Sequence, residues 1–258
     1  ALKLEVLSGG KVIRTFTNQA PKDFKSWAGG PSKPKVLPSA KGYNRFTWDF
    51  YREPSPAIEN VFGFDGYGSS RVAPGTYTLR LTMGNETVET KAAILPDPLI
   101  EATAADYAEQ QSYLTRIDET LVNMHKAVNQ MRTAKSQLNT YKKLLKDNEK
   151  AKELLEKGDA LLERINTWEE NLIQPKQKTF QDVVNFSSKL NADFMHLRGF
   201  IDVAEPKVTE GAKELFRDNM AEWKTFENEK NAIVGTGMKE YNDMFKALDI
   251  PAIILTEE

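Results

Sequence analysis

The 258-residue sequence contains no cysteine and only two histidines, His125 and His196. Without cysteine there can be no disulfide, no cysteine nucleophile and no cysteine-ligated zinc or iron–sulfur centre. No apolar run approaches the roughly 18 residues of a membrane-spanning helix. The net charge of −2 gives no overall field that would recruit nucleic acid or an anionic membrane. The whole sequence is 40% hydrophobic and 28% charged, which is typical of a folded globular protein.

Composition changes near residue 98. Residues 1–98 hold 13 basic and 9 acidic residues, a net of +4, and the remainder of the chain has a net of −6. Proline and glycine are frequent before this point and sparse after it. Because two prolines in three residues interrupt both strand and helix, Pro96-Asp97-Pro98 predicts a linker between two domains.

The first part of the chain has the two-residue alternation of half-buried strands. Strands are predicted over 2–7, 11–17, 44–50, 76–83 and 86–95, with turns at Gly9-Gly10 and Gly84-Asn85 that would make two hairpins. Trp48 alternates with Phe46 and Phe50, which favours a core position. Short strands joined by turns, without a helical pattern, predict an Ig-like β-sandwich over 1–98.

The second part has helical periodicity. Thr103 and Asp106 have the spacing of a capping box, and the apolar seam that follows predicts a long helix reaching about residue 145. Further helices are predicted from about 149, from the second cap-like pattern at Thr179, and beyond Pro206, with a kink or break at Gly235-Thr-Gly237. Short connections between amphipathic helices predict an antiparallel four-helix bundle over 99–258. An apolar tail at 250–255 would dock on the bundle or on a neighbouring domain.

The sequence contains few patterns typical of catalytic or metal-binding sites. A di-metal bundle needs Glu-x-x-His on two helices, but Val122 precedes His125 at that spacing, and the Asp193/His196 pair stands alone. His125 directly follows the seam residue Met124 and is expected at the edge of the core or in solvent. The glycine-rich stretch 63–70 lacks the features of a phosphate loop or a nucleophile elbow. We therefore predict no catalytic residue, no metal site and no cofactor, although a glycosidase-type carboxylate pair has no sequence signature that would exclude it.

Two aromatic residues in predicted loops are candidates for contacts at the surface. Trp27 lies among lysine, serine and glycine, and Tyr67 is similarly placed. Exposed aromatic side chains commonly bind sugars or protein partners. The basic loop 22–41 lacks the interleaved aromatics of a nucleic-acid site, so no nucleic-acid partner is expected.

Several segments resemble a known family. The segments GKVIRTF at 10–16, KGYNRFTWD at 41–49 and VAPGTYTLRL at 72–81 look like the Ig-like module of flagellar-hook-cap-type and related bacterial secreted proteins. The continuation resembles the C-terminal region of large exported bacterial proteins that carry a sortilin/VPS10-like, BNR-repeat propeller and are often labelled glycosyl hydrolases. The matching segments there are DP at 97–98, KQKTFQD at 176–182, KLN at 189–191, YN at 241–242 and IPAII at 250–254.

The resemblance implies that the chain is a fragment, an accessory C-terminus without its propeller, and that the Ig-like module lacks its first strand. It also implies export to the periplasm, the cell surface or the medium. The expected role is a non-catalytic accessory or interaction region that packs against or presents the propeller, or binds another protein. The competing hypothesis is a glycan-binding or glycan-processing module. The hydrolase label itself belongs to the propeller by analogy, and nothing in these residues supports transferring it.

Overall fold

The computed structural model describes residues 1–63 and 65–250. A small antiparallel sheet comes first and a helical region follows. The strands are β1 (Leu2–Ser8), β2 (Lys11–Thr17), β3 (Gly75–Met83) and β4 (Glu86–Ile94). The helices are α1 (Ala104–Leu144), α2 (Lys152–Leu172), α3 (Leu190–Ile201), α4 (Glu210–Ala232) and α5 (Lys239–Ala247). Two short 3-10 turns, Glu149–Ala151 and Phe180–Val184, and one π-helix, Ile233–Met238, complete the described elements.

The four strands lie in the order β2-β1-β3-β4, with every neighbouring pair antiparallel. Both predicted hairpins, β1–β2 and β3–β4, are confirmed. Gly9 and Gly10, each at positive φ, form the two-residue turn of the first hairpin, a conformation that glycine adopts without steric cost. Because β1 and β3 are adjacent, the two hairpins form one continuous sheet.

The predicted Ig-like sandwich is wrong. Residues 1–63 and 65–250 contain a single four-stranded sheet, and 44–50 do not form a strand. The alternating aromatics of that segment instead pack onto the sheet from an irregular backbone. Phe46 contacts Phe16, with ring centroids 4.8 Å apart, and Trp48 contacts Tyr77 at 5.8 Å. Apolar alternation shows which side chains are buried, but it does not require the backbone to pair with another strand.

The predicted helical region is confirmed, and its first helix begins as expected. The Thr103 hydroxyl accepts a hydrogen bond from the Asp106 N–H, and the Asp106 carboxylate accepts one from the Thr103 N–H. Within the region α1 packs against α2 and α3, α3 against α4, and α2 against α5. The amphipathic seams therefore form one helical core, as their periodicity indicates.

Two details of the helical prediction need correction. The third helix begins at Leu190 rather than near Thr179, because the Thr179/Asp182 capping box supports only a 3-10 turn and Val184 is left exposed. A kink or a break is predicted at Gly235-Thr-Gly237, and of these two the break is wrong. The backbone passes from α4 through the π-helix into α5. A π-helical turn accommodates the distortion without ending the helix.

A long irregular segment, residues 18–63 and 65–74, here called the strap, joins the sheet to the helices. Its Leu37 and Val72 belong to the core of the sheet, whereas Ile58, Val61 and Tyr67 belong to the core of the helices. Residues that precede Pro96-Asp97-Pro98 therefore contribute to both cores. Ile250 packs partly buried on the helical core, and the rest of the predicted apolar tail, 251–255, lies outside the described residues.

Candidate interaction surface

One face of the sheet is apolar across all four strands. Phe16 pairs with Leu4, Leu4 with Leu81 and Leu81 with Val88, so these four side chains form a single row. Exposure rises along that row, from 3% at Phe16 to 37% at Leu81 and 63% at Val88. The face is thus covered at β2 and open at β4.

The strap causes this asymmetry. Phe46 covers Phe16, and the Leu37 N–H donates to the Thr17 carbonyl at 2.9 Å, which fixes the strap along the outer edge of β2. Further along that edge, the Glu53 N–H donates to the Ile13 carbonyl at 2.8 Å. The strap therefore occupies both the outer edge and the near face of β2.

Between the strap and the open half of the face lies a groove of about 500 Å³, here called the sheet groove. One wall comes from the strap, with Leu37, Pro38, Asn44 and Phe46. The opposite side and floor come from the sheet, with Leu2, Leu4, Leu79, Leu81, Val88, Glu89 and Thr90. Glu89 is the only charged residue among these lining residues, and its side chain lies on the opposite face of the sheet beside Arg80, so the groove suits an apolar occupant.

Besides the groove, the outer edge of β4 is also without a partner among the described residues. Over its nine residues β4 pairs with β3 without a bulge and contains no proline. No described residue pairs with its far side. An exposed, regular edge strand of this length presents free N–H and C=O groups that can pair with another strand.

The two predicted surface aromatics instead hold the strap in place. Tyr67 is only 3% exposed, so its predicted surface position is wrong, and its hydroxyl donates to the carbonyl of Val61 at 3.0 Å or Ile58 at 3.3 Å. Trp27 is half-buried, and its indole Nε1–H donates to the same Val61 carbonyl at 2.8 Å. The polar atoms of both side chains are therefore already engaged inside the molecule.

His125 is also placed differently from the prediction. It lies fully buried in α1 rather than at the edge of the core, and its Nδ1 is 2.9 Å from the Pro56 carbonyl oxygen. The ring of Tyr67 packs edge-on against it, with centroids 5.5 Å apart. Burial lowers the pKa of His125 to about 4, so the imidazole is neutral near pH 7 and Nδ1 carries the proton that it donates.

A buried polar cluster links the strap to α1 and α3. Asp118 of α1 accepts hydrogen bonds from Ser70, and Arg198 of α3 lies 3.5 Å from its other carboxylate oxygen. Burial raises the pKa of Asp118 above its usual value, although Ser70 and Arg198 act in the opposite direction. Because both carboxylate oxygens have partners within the protein, this geometry is that of a structural clamp.

Two further places could hold a polar ligand. A cleft of about 360 Å³ lies between β2 and α1. It is lined by charged residues of both signs, Lys11, Arg52, Glu53, Asp118 and Glu119. His196 Nε2 lies 3.4 Å from the Asp65 carboxylate, beside the glycine-rich stretch. Within residues 1–63 and 65–250 no group of three histidine, aspartate or glutamate side chains converges as a metal site requires.

The half-open state of this face is not predicted by the strand pattern at 76–83. Alternation along β3 identifies an apolar face, yet only the position of the strap determines which half is covered. The sequence gives one sign of the buried Asp118, because this charged residue directly follows the seam residue Ile117.

No protein-family model, curated protein or solved structure matches this chain. In the described residues no helix is long and apolar enough to cross a membrane.

Proposed function

We propose that this chain is a non-catalytic interaction region of an exported protein, and that it binds an apolar polypeptide segment in the sheet groove. The observation that carries the proposal is the row from Phe16 to Val88, which is apolar throughout but covered over only half its length. A polypeptide in the groove would complete the cover that the strap begins.

The chemistry of the groove supports a polypeptide occupant. Its lining is mainly aliphatic, with Phe46 and the polar residues Asn44 and Thr90, and removing this apolar surface from water favours binding. A propeller domain of the same protein, as the family resemblance implies, or another protein could supply such a segment. The helical region, with its own core, serves in this proposal as the support that holds the sheet.

The glycan alternative has less support. Sugar-binding sites commonly present aromatic rings to solvent, whereas Tyr67 is buried and Trp27 donates its indole N–H inward. The groove itself contains one aromatic side chain, Phe46, which already packs against Phe16.

The experiment uses a phage-displayed library of peptides of about 12 residues, selected on the whole chain. Binding of selected peptides is measured by isothermal titration calorimetry to the wild type, to Val88→Lys and to Thr87→Lys. Val88 faces the groove, while its exposed neighbour Thr87 lies on the opposite face of the same strand, which makes Thr87→Lys the matched control.

We expect Val88→Lys to weaken peptide binding by at least about tenfold and Thr87→Lys to leave it nearly unchanged, because an ammonium group in the groove loses water without gaining a partner. Equal effects of both substitutions would place the binding site elsewhere and overturn the proposal. A panel of polysaccharides is titrated in parallel. Glycan binding that Trp27→Ala abolishes would favour the alternative function instead.

A further inference from the structure

We propose that two copies of this chain associate through β4, whose outer edges pair antiparallel about a two-fold axis at Thr90 to form an eight-stranded sheet. The proposal concerns the edge of the sheet and not the groove, so it stands apart from peptide binding. Its starting point is the difference between the two edges of the sheet. The strap covers the edge of β2, whereas the described residues leave the edge of β4 unpaired.

The direction of the free backbone groups follows from the β3–β4 turn. Met83 pairs with Glu86 across the two-residue turn Gly84-Asn85, which makes them a hydrogen-bonded pair. In an antiparallel ladder hydrogen-bonded and non-hydrogen-bonded pairs alternate. The even-numbered residues of β4 therefore direct their N–H and C=O groups toward β3, and the odd-numbered residues, 87, 89, 91 and 93, direct theirs outward.

Two-fold antiparallel pairing through these outward groups allows few registers. A centre at position 88 or 92 pairs only about half of the strand. A centre at 89 places Glu89 opposite the partner's Glu89, and a centre at 91 places Lys91 opposite the partner's Lys91, so both juxtapose like charges. A centre at Thr90 overlaps the whole of Glu86–Ile94 and places each Glu89 opposite the partner's Lys91.

Glu89 and Lys91 lie on the face of the sheet opposite the groove, and the charges already present on that face agree with this register. The Arg80 guanidinium lies 2.6 Å from the Glu89 carboxylate and 3.8 Å from that of Glu5, so signs alternate across β1, β3 and β4. Lys91 is exposed, and no ion pair is found for it among the described residues. The partner's Lys91 would add the next positive charge to the series, beside Glu89.

The other face of the paired strands is compatible as well. In the same register Val88 lies opposite the partner's Ala92 and Thr90 opposite the partner's Thr90, which are favourable apolar and β-branched cross-strand pairs. Glu89 and Lys91 lie one residue on either side of the strand midpoint with opposite signs. That pattern is complementary to itself when reversed, and it identifies a second copy as the partner that fits this edge.

The test is a charge exchange measured by sedimentation velocity on the whole chain between about 1 and 200 µM. The wild type should dimerise in this range. Glu89→Lys alone and Lys91→Glu alone each create two like-charge pairs and should weaken dimerisation by about tenfold or more. The double variant Glu89→Lys/Lys91→Glu restores both opposite-charge pairs and should dimerise like the wild type.

Mixing the two single variants provides the decisive control. Lysines at 89 and 91 in one variant then face glutamates at the same positions in the other, so a heterodimer should form where neither variant forms a homodimer. Circular dichroism confirms that each variant is folded. A wild type that stays monomeric throughout the range, or a dimer that both single substitutions leave unchanged, would overturn the proposal.

Discussion

Ser70 donates two hydrogen bonds to one carboxylate oxygen of Asp118, from its N–H at 3.0 Å and from its hydroxyl at 2.6 Å. Arg198 lies beside the other oxygen and also donates to the carbonyls of Gly68 and Gly66. A carboxylate of α1 and a guanidinium of α3 thus hold the same stretch of the strap. This clamp fixes the position of the strap against the helices, and the strap in turn forms one wall of the sheet groove.

Replacing Asp118 should destabilise the protein strongly. Asp118→Ala leaves the Ser70 hydroxyl and N–H without their acceptor and removes the charge that faces Arg198, so we expect a loss of about 2 to 4 kcal/mol in the free energy of unfolding. The measurement is urea denaturation followed by circular dichroism. Asp147→Ala, in which an exposed partner of Lys146 is removed, serves as the control and should change stability by less than about 0.5 kcal/mol. Similar losses in both variants would contradict the clamp.

Buried His125 should make the protein sensitive to mild acid. Its folded pKa of about 4 lies below the ordinary value of 6.5, so the unfolded chain takes up a proton first as the pH falls. Stability is therefore unaffected by this group above pH 6.5, decreases between pH 6.5 and about 4, and loses about 3 kcal/mol in total. Asp118, whose pKa is raised, opposes this trend, because its folded form binds a proton more readily than its unfolded form.

The variant His125→Phe isolates the contribution of the imidazole. It should be less stable than the wild type at pH 7, since the Pro56 carbonyl loses its hydrogen bond, but the difference should shrink as the pH approaches 4. Urea midpoints measured across this range give the comparison. His196→Gln removes the other histidine and should retain the effect of His125. Parallel stability curves for wild type and His125→Phe would show that the imidazole does not cause the acid sensitivity.

Two glycines of the π-helix form a matched pair for testing how closely it packs against α2. A Cβ added at Gly237 would lie 3.0 Å from the Leu161 Cδ1, whereas one added at Gly235 would meet nothing within 4 Å. Gly235→Ala should stabilise the protein by about 0.5 to 1 kcal/mol through reduced backbone entropy of the unfolded chain. Gly237→Ala should lower stability by about 1 kcal/mol because Leu161 is buried and has little room to shift. Thermal or urea denaturation distinguishes the two variants. Equal gains in stability for both would contradict close packing between Gly237 and Leu161.

The Tyr67 hydroxyl should contribute to stability. Tyr67→Phe keeps the ring against His125 but removes the hydrogen bond to the strap carbonyls, and we expect a cost of about 1 kcal/mol. Tyr43, which is 94% exposed, provides the matched control, and Tyr43→Phe should have no measurable effect. Urea denaturation of both variants is sufficient. If Tyr67→Phe leaves the free energy of unfolding unchanged, the hydrogen bond from the Tyr67 hydroxyl to these carbonyls is no stronger than the hydrogen bond that the hydroxyl makes to water in the unfolded chain.

Periodicity predicted most of the regular elements, and the reason is local. The two hairpins follow from alternation and from glycine turns, and α1 follows from its capping box and apolar seam, all of which are set by residues near one another in sequence. The sandwich was wrong because Phe46 and Trp48 have the pattern of a strand but find their partners, Phe16 and Tyr77, without backbone pairing. Nothing within 44–50 distinguishes these outcomes.

The candidate surfaces were harder to predict for a related reason. Whether Tyr67 and His125 are buried depends on contacts between residues 58 positions apart, and the exposure of Val88 depends on where the strap stops covering the sheet. Such contacts are fixed by tertiary packing and leave no periodic signal. The charges at Glu89 and Lys91, by contrast, were visible in the sequence, and only the strand order showed that they lie on an unpaired edge.

The division of the strap between two cores also bears on how the chain is made. All four strands precede residue 95, so a ribosome could release a segment able to form the sheet before any helix has emerged. Ile58, Val61 and Tyr67 leave the ribosome in that same early segment, yet the helical side chains that bury them are synthesised only later. Until then the core that buries them in the folded protein is incomplete, so their docking joins the early sheet to the late helices.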